Sequence, residues 1–190
     1  MDTKALRQKI LDLAVRGKLV PQNPDDEPAR VLLERIRAEK KQMVKDGRLK
    51  AKDIKNDSVI YFKEDNLPYE QFPDGTEKCI TDEIPFELPH GWEWTRLVSI
   101  CDKIIDGDHN PPKGENVPTK YLMLSSTNIN NNSITELNKV RYLSKEIFEK
   151  ENTRTSVKIG DIFFTSVGSL GRSCVYQGGY NICFQRSVDI

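Results

Sequence analysis

Apolar residues recur at sustained helical spacing over the first 47 residues of this 190-residue chain, and then that periodicity stops. Leu6, Ile10 and Leu13 form one stripe, with Asp2 or Thr3 as a cap and Gly17 as the stop. Pro21-Gln22-Asn23-Pro24 reads as a loop. Asp25, Asp26 and Glu27 ahead of Pro28 then mark a second helix start, because proline loses no needed N–H there and acids favour the helix dipole. Leu32, Leu33, Ile36 and Met43 give the second stripe, which ends near Gly47. Two helices joined by a short proline loop predict a helical hairpin arm over residues 1–50. Its stripes either pack on the following domain or meet another helix or chain. Leu6, Ile10, Leu13, Leu32 and Ile36 are therefore the candidate partner-binding residues, and the arm also offers a surface for self-association.

Residues 51–88 read as an acidic, turn-rich linker in which Pro68, Pro73-Asp74-Gly75 and Pro85 break any periodicity, with one short strand at Val59–Phe62. After Pro89 come short apolar runs divided by Gly, Asn, Ser and Pro. That texture predicts a compact mixed domain over 89–190, so the fold class is α+β: a helical arm, then a domain of many short strands. Tyr121–Leu124 and Ile162–Phe164 are buried-strand candidates, Ser144–Lys150 a helix, and Val175–Phe184 a hairpin bent at Gly178-Gly179. Trp92 and Trp94 are read as core. The run stops at Ile190 just after a strand-like segment, which suggests a domain incomplete at its C-terminus.

Net charge is zero, but it is partitioned: residues 1–56 hold 15 Lys+Arg against 9 Asp+Glu, residues 57–100 hold 3 against 10, and residues 101–190 hold 11 against 10. Local positive patches are thereby permitted, as a nucleic-acid partner requires. No apolar run approaches a membrane span and no signal-peptide pattern opens the chain, so a soluble cytoplasmic protein with no membrane partner is expected. Cys79, Cys101, Cys174 and Cys183 fit neither zinc nor redox spacing and are read as free buried thiols. His90 and His109 have no partner at metal-ligand spacing, so no metal site is expected.

The search for chemistry is mostly negative. Asn110-Pro111-Pro112-Lys113 resembles the Asn-Pro-Pro-aromatic motif that holds a flipped base, but Lys113 stands where the stacking ring belongs. Asp74, Glu77 and Lys78 have the letters of a metal nuclease but crowd into one turn. Four polar loops of small residues remain: 106–109, 125–128, 166–172 and 185–187. Small residues allow close backbone approach to phosphate, and Arg, Asn and Gln suit bidentate base contact. Arg172 and Arg186 are candidate phosphate or guanine ligands, Gln185 and Asn128 candidate base readers, and Ser125, Ser126, Gly168 and Ser169 candidate backbone-approach positions. Arg172 alternatively braces its loop by pairing with Asp161.

The order of these segments resembles the specificity subunits of Type I restriction-modification systems. Leu88-Pro89-His90-Gly91-Trp92-Glu93-Trp94 through Leu97 looks like that family's domain entry, and Asp106-Gly107-Asp108-His109 like its next loop. Lys158-Ile159-Gly160-Asp161, Gly168-Ser169-Leu170-Gly171-Arg172 and Phe184-Gln185-Arg186-Ser187 follow in matching order, and Leu6–Leu11 with Gly17–Gln22 and Asp26–Ala29 resembles its conserved helical region. The resemblance implies a target recognition domain that reads half of a split site in double-stranded DNA and no catalytic centre of its own. It also implies methyltransferase subunits and restriction nuclease-translocase subunits as partners. S-adenosylmethionine, Mg and ATP would belong to those partners, leaving this chain without a cofactor. The recognition part of a fused methyltransferase-nuclease and a fragment that binds only protein are the rival readings.

Overall fold

The computed structural model describes residues 2–190 and divides into two compact units, 1–102 and 103–190. Strand and helix are mixed in an α+β arrangement. No described helix is long and apolar enough to cross a membrane.

In the first unit, α1 (Thr3–Val15) starts where the Asp2 carboxylate accepts from the amides of Lys4 and Ala5, at 3.0 and 3.2 Å. It ends at Gly17, whose φ of 62° suits a residue without a side chain. A Cβ there would stand 2.5 Å from Pro89, and Trp92 Nε1 donates to Gln22 at 2.8 Å, so the helix exit is fastened to the 89–92 turn. Helix α2 (Ala29–Lys45) follows Pro28 as expected, and the helix it packs on is α3 (Leu97–Ile100).

The stretch read as a linker carries a three-stranded antiparallel meander in the order β1 (Val59–Phe62), β2 (Pro68–Gln71), β3 (Glu77–Cys79). The residues that seemed to break structure are its turns. Asn66 and Gly75 take φ of 59° and 85°, and the Asp74 carboxylate accepts from the Thr76 amide at 2.9 Å. Pro68 sits at the first position of its strand, where a missing N–H is tolerated.

The interior of this unit is polar. Ile80 and Pro68 are its buried apolar side chains among the described residues, against four buried polar ones: Lys40, Ser58, Glu70 and Ser99. Lys40 Nζ donates to Asp57 at 2.8 Å and to the Val98 carbonyl at 3.0 Å. Ser58 donates its amide to Ser99 Oγ at 2.9 Å and its hydroxyl to Glu70 at 2.6 Å. Arg96 completes the chain with a two-pronged contact to Glu70, at 3.0 and 2.6 Å. That guanidinium holds the Glu70 carboxyl below its ordinary range, with Ser58 assisting and burial opposing. A carboxylate with a depressed folded pKa contributes stability that is complete above the unfolded value and lost as pH falls through the folded one. Glu70→Gln should therefore flatten the acid limb of this unit's unfolding, followed by tryptophan fluorescence between neutral pH and pH values below the carboxylate range. An acid limb identical to the parent's would show that Glu70 does not carry it.

The second unit is built on β4 (Tyr121–Leu124). The short hairpin β5 (Ile129–Asn130) and β6 (Ser133–Ile134) follows, then β7 (Arg141–Tyr142) and α4 (Lys145–Thr155). β8 (Ile162–Thr165), β9 (Ser173–Val175), β10 (Asn181–Phe184) and β11 (Val188–Asp189) complete it. β4 lies between parallel β10 and antiparallel β7. Its two faces feed two clusters, Leu122 and Leu124 with Phe163, Ile182 and Phe184, and Met123 with Leu143, Phe148 and Cys183. Burial on both faces explains an unbroken apolar run where alternation would otherwise be expected.

Four expectations are corrected here. Gly178-Gly179 does not close a hairpin: β9 pairs with β8, while β10 crosses to β4, the glycines at φ 89° and 94° carrying the crossover. β8 is buried on one face only, with Phe163 inside and Ile162 and Phe164 outside. Cys174 and Cys183 are buried free thiols, burial pushing Cys183 up to about 12, but Cys101 is only half-buried and Cys79 is exposed. Trp92, read as core, is 41% exposed, and Trp94 packs its ring on Phe86 with centroids 5.1 Å apart.

Candidate nucleic-acid interface

The four polar loops singled out in the sequence come together in the second unit, and backbone hydrogen bonds hold them there. The Asp108 amide donates to Phe184 O at 2.7 Å, Arg186 N returns to Asp108 O at 2.9 Å, and Gly107 N reaches Val188 O at 3.0 Å. Gly107 is buried in this seam, and a Cβ there would lie 2.2 Å from the Gln185 carbonyl oxygen. Ser187 is the hub. Its hydroxyl accepts from the Ser126 amide at 3.0 Å, and its carbonyl accepts from the Ser166 amide at 3.2 Å. Gln185 N closes the set on Leu124 O at 2.9 Å.

Helix α4 braces this assembly from behind. Arg154 donates to the Asp106 carboxylate at 3.0 Å and to the carbonyls of Asp106 and Gly107 at 2.7 and 2.6 Å. His109 and then Arg154 hold the Asp106 carboxyl below its ordinary range. Burial, with the Asp108 carboxylate beside it, pushes Glu151 upward.

The β8–β9 loop is shaped from within by Thr165. Its hydroxyl contacts the Ser169 carbonyl and accepts from the Arg172 amide at 3.0 Å, while Gly171 N donates to Thr165 O at 3.0 Å. Gly168 has φ 82° and stands within 3.4 Å of Ser126 Oγ measured from its virtual Cβ, so two of the loops meet there.

Of the residues expected to contact DNA, Arg172, Arg186 and Gly168 are exposed, while Gln185, Ser125, Ser126 and Ser169 are half-buried along the same seam. Asn128 is corrected. It is 0% exposed, its side-chain oxygen accepts from the Ser125 amide at 3.0 Å, and its amide nitrogen donates to the carbonyls of Thr135 and Glu136 at 3.2 and 3.0 Å. A fully bonded buried amide shapes its loop and cannot read a base edge. Arg172 does not pair with Asp161, whose carboxylate instead accepts from the Lys158 amide at 2.7 Å; its guanidinium meets the neutral Asn130 side chain. Arg172 and Arg186 thus have no carboxylate partner among the described residues, which leaves both charges free for an anion.

The structure adds residues that sequence reasoning passed over. Asn130, Asn131, Thr135 and Glu136, together with Thr127 of the 125–128 loop already singled out, surround an open depression of about 550 Å³ beside Arg172. The signal for them was the pair Asn131-Asn132 between Ile129 and Ile134. Both asparagines take left-handed φ, 49° and 57°, and turn the β5–β6 hairpin.

Over 99 residues, 52% of its length, the chain is 48% identical to the Type I restriction enzyme EcoAI specificity subunit of Escherichia coli. Over 98 residues it is 47% identical to the EcoEI specificity subunit of the same organism. The matched half is homologous to Type I specificity subunits. Each match spans 13% of the relative's own length. No family model and no solved structure matches the chain.

Proposed function

We propose that this chain supplies DNA-sequence recognition within a Type I restriction-modification complex, reading half of a bipartite target through residues 89–190 and contributing no catalytic group itself. The observation that carries the reading is the convergence of four small-residue loops on one seam. That seam presents two guanidiniums without carboxylate partners, in a chain related to specificity subunits. Phosphate contact would come from Arg172 and Arg186, and base contact from Gln185 and the rim of the depression beside Arg172, with Ser126, Ser169 and Gly168 letting backbone approach closely.

The helical arm serves protein partners in this reading. Leu6, Ile10 and Leu32 are 47%, 43% and 42% exposed, while Leu13 and Ile36 are half-buried, so the stripes are largely uncovered. Methyltransferase subunits that bind S-adenosylmethionine would dock there, and nuclease-translocase subunits would join that assembly.

Co-expression with a cognate methyltransferase subunit, followed by methylome sequencing, tests the proposal. A modified motif that disappears when this chain is omitted is the expected result, and an unchanged methylome from a stable complex would overturn it. Within that complex, Arg172→Ala and Arg186→Ala should each weaken duplex binding about tenfold and lower the salt-dependence slope by about one. Unchanged affinity and slope in both variants would remove these arginines from the interface.

A further inference from the structure

Beyond DNA recognition, we infer that the groove between α2 and the free edge of β1 in the first unit is a docking site for an extended, acidic peptide segment of a partner protein, taken up as an added β-strand. The edge is read from the hydrogen-bond pattern. Lys63 N donates to Leu67 O at 3.2 Å where the β1–β2 turn closes, which makes Tyr61 and Val59 the residues bonded to β2. Ile60 and Phe62 then direct their N–H and C=O groups away from β2, and no backbone partner meets them among the described residues. Ser58, two residues earlier on that edge, already spends its amide on Ser99 Oγ.

This edge lines a groove of about 270 Å³ whose opposite wall is a single face of α2: Arg30, Leu33, Glu34 and Arg37, at i, i+3, i+4 and i+7. Trp94 also lines the groove, and its Nε1 is the one buried side-chain nitrogen or oxygen among the described residues without a hydrogen-bond partner. Past Arg37 the groove opens into a depression of about 920 Å³ that includes Lys41 and Lys55. None of Arg37, Lys41 and Lys55 has a carboxylate partner among the described residues; of the acids nearby, Asp57 is engaged with Lys40, Asp74 with Thr76 and Glu34 with Arg30, while Glu93, beside Trp94, has no partner among the described residues and disfavours an acidic residue there. Unpaired backbone groups on the β1 edge and a cationic end select a strand whose acidic residues lie toward Lys41 and Lys55.

The test is an NMR titration of the ¹⁵N-labelled full chain with the hexapeptide Glu-Glu-Val-Thr-Val-Thr and its reversed sequence, both capped. One of the two should shift the Ile60, Phe62 and Trp94 indole resonances and slow amide exchange along the edge. Replacing its acids by lysine should weaken binding at least tenfold. Ile60→Pro, which removes an outward donor while leaving the β2 ladder, should abolish binding that Ile60→Val retains, and the double variant Arg37→Glu, Lys41→Glu supplies the same test should the proline variant not fold. Silence at all three resonances with both peptides would overturn the inference. So would full binding by a folded Ile60→Pro variant or by the double variant, or the same shifts produced by a short DNA duplex alone.

Discussion

Lys40→Met is expected to lower the unfolding free energy of the first unit by about 3–5 kcal/mol, the usual cost of leaving one half of a buried ion pair behind. Lys40 has 3% of its side chain exposed and Asp57 has 13%, so neither charge can recover its hydration without local opening. Removing the ammonium strands the Asp57 carboxylate and also two carbonyls, of Val98 at 3.0 Å and Ser99 at 3.4 Å. The double variant Lys40→Met, Asp57→Asn should recover only part of the loss, since the carbonyls stay without their donor. Both tryptophans, Trp92 and Trp94, belong to this unit, so urea unfolding of the intact chain followed by indole fluorescence isolates it. A loss under about 1 kcal/mol, typical of an exposed pair, would mean that water reaches the Lys40–Asp57 contact.

That polar interior is also where the sequence was least legible. The helical period of α2 pointed to Leu32, Leu33, Ile36 and Met43 as its inner stripe, yet Lys40 is its one buried residue, and Leu32 is 42% exposed. Periodicity finds faces that bury hydrocarbon; it is blind to a charge buried against a carboxylate 17 positions later and carbonyls nearly 60 positions later. The meander of residues 59–79 was hidden for a related reason. Its proline, asparagine and glycine residues signal turns equally well in a linker and in a hairpin, and only pairing distinguishes the two.

Local signals fared better where they were strong. Asp2 capping α1, Pro28 preceding α2 and Ser144 capping α4 all act at short range, so the chain itself carries the information. The loops of the candidate interface were visible as small-residue clusters after strands, but their convergence was not, because it depends on β10 running parallel to β4. Asn128 shows the limit within one residue: its type suited base reading, and its position made it the buried bracket of a loop.

Gly107→Ala is the sharpest test of that convergence. An added methyl would sit 2.2 Å from Gln185 O and 2.4 Å from Phe184 O, distances that no rotamer change can relieve because both obstacles are backbone. Gly107 does not need glycine for a left-handed φ, so the whole effect comes from the clash. Either the 106–109 loop or the 184–187 segment has to move, which breaks the bonds among Asp108, Phe184 and Arg186 and displaces Ser187, on which two further loops depend. Overpacking of this kind costs about 3 kcal/mol. Affinity for duplex DNA should fall by more than in Arg172→Ala, which removes one charge but leaves the frame, and the salt-dependence slope should drop by more than one. Unfolding and binding are to be measured on the same two variants. Arg172→Ala with normal stability and weakened binding, beside Gly107→Ala with both reduced, is the pattern expected of a rigid frame that presents its contacts. If Gly107→Ala bound DNA like the parent, the seam would be a structural joint remote from the recognition surface.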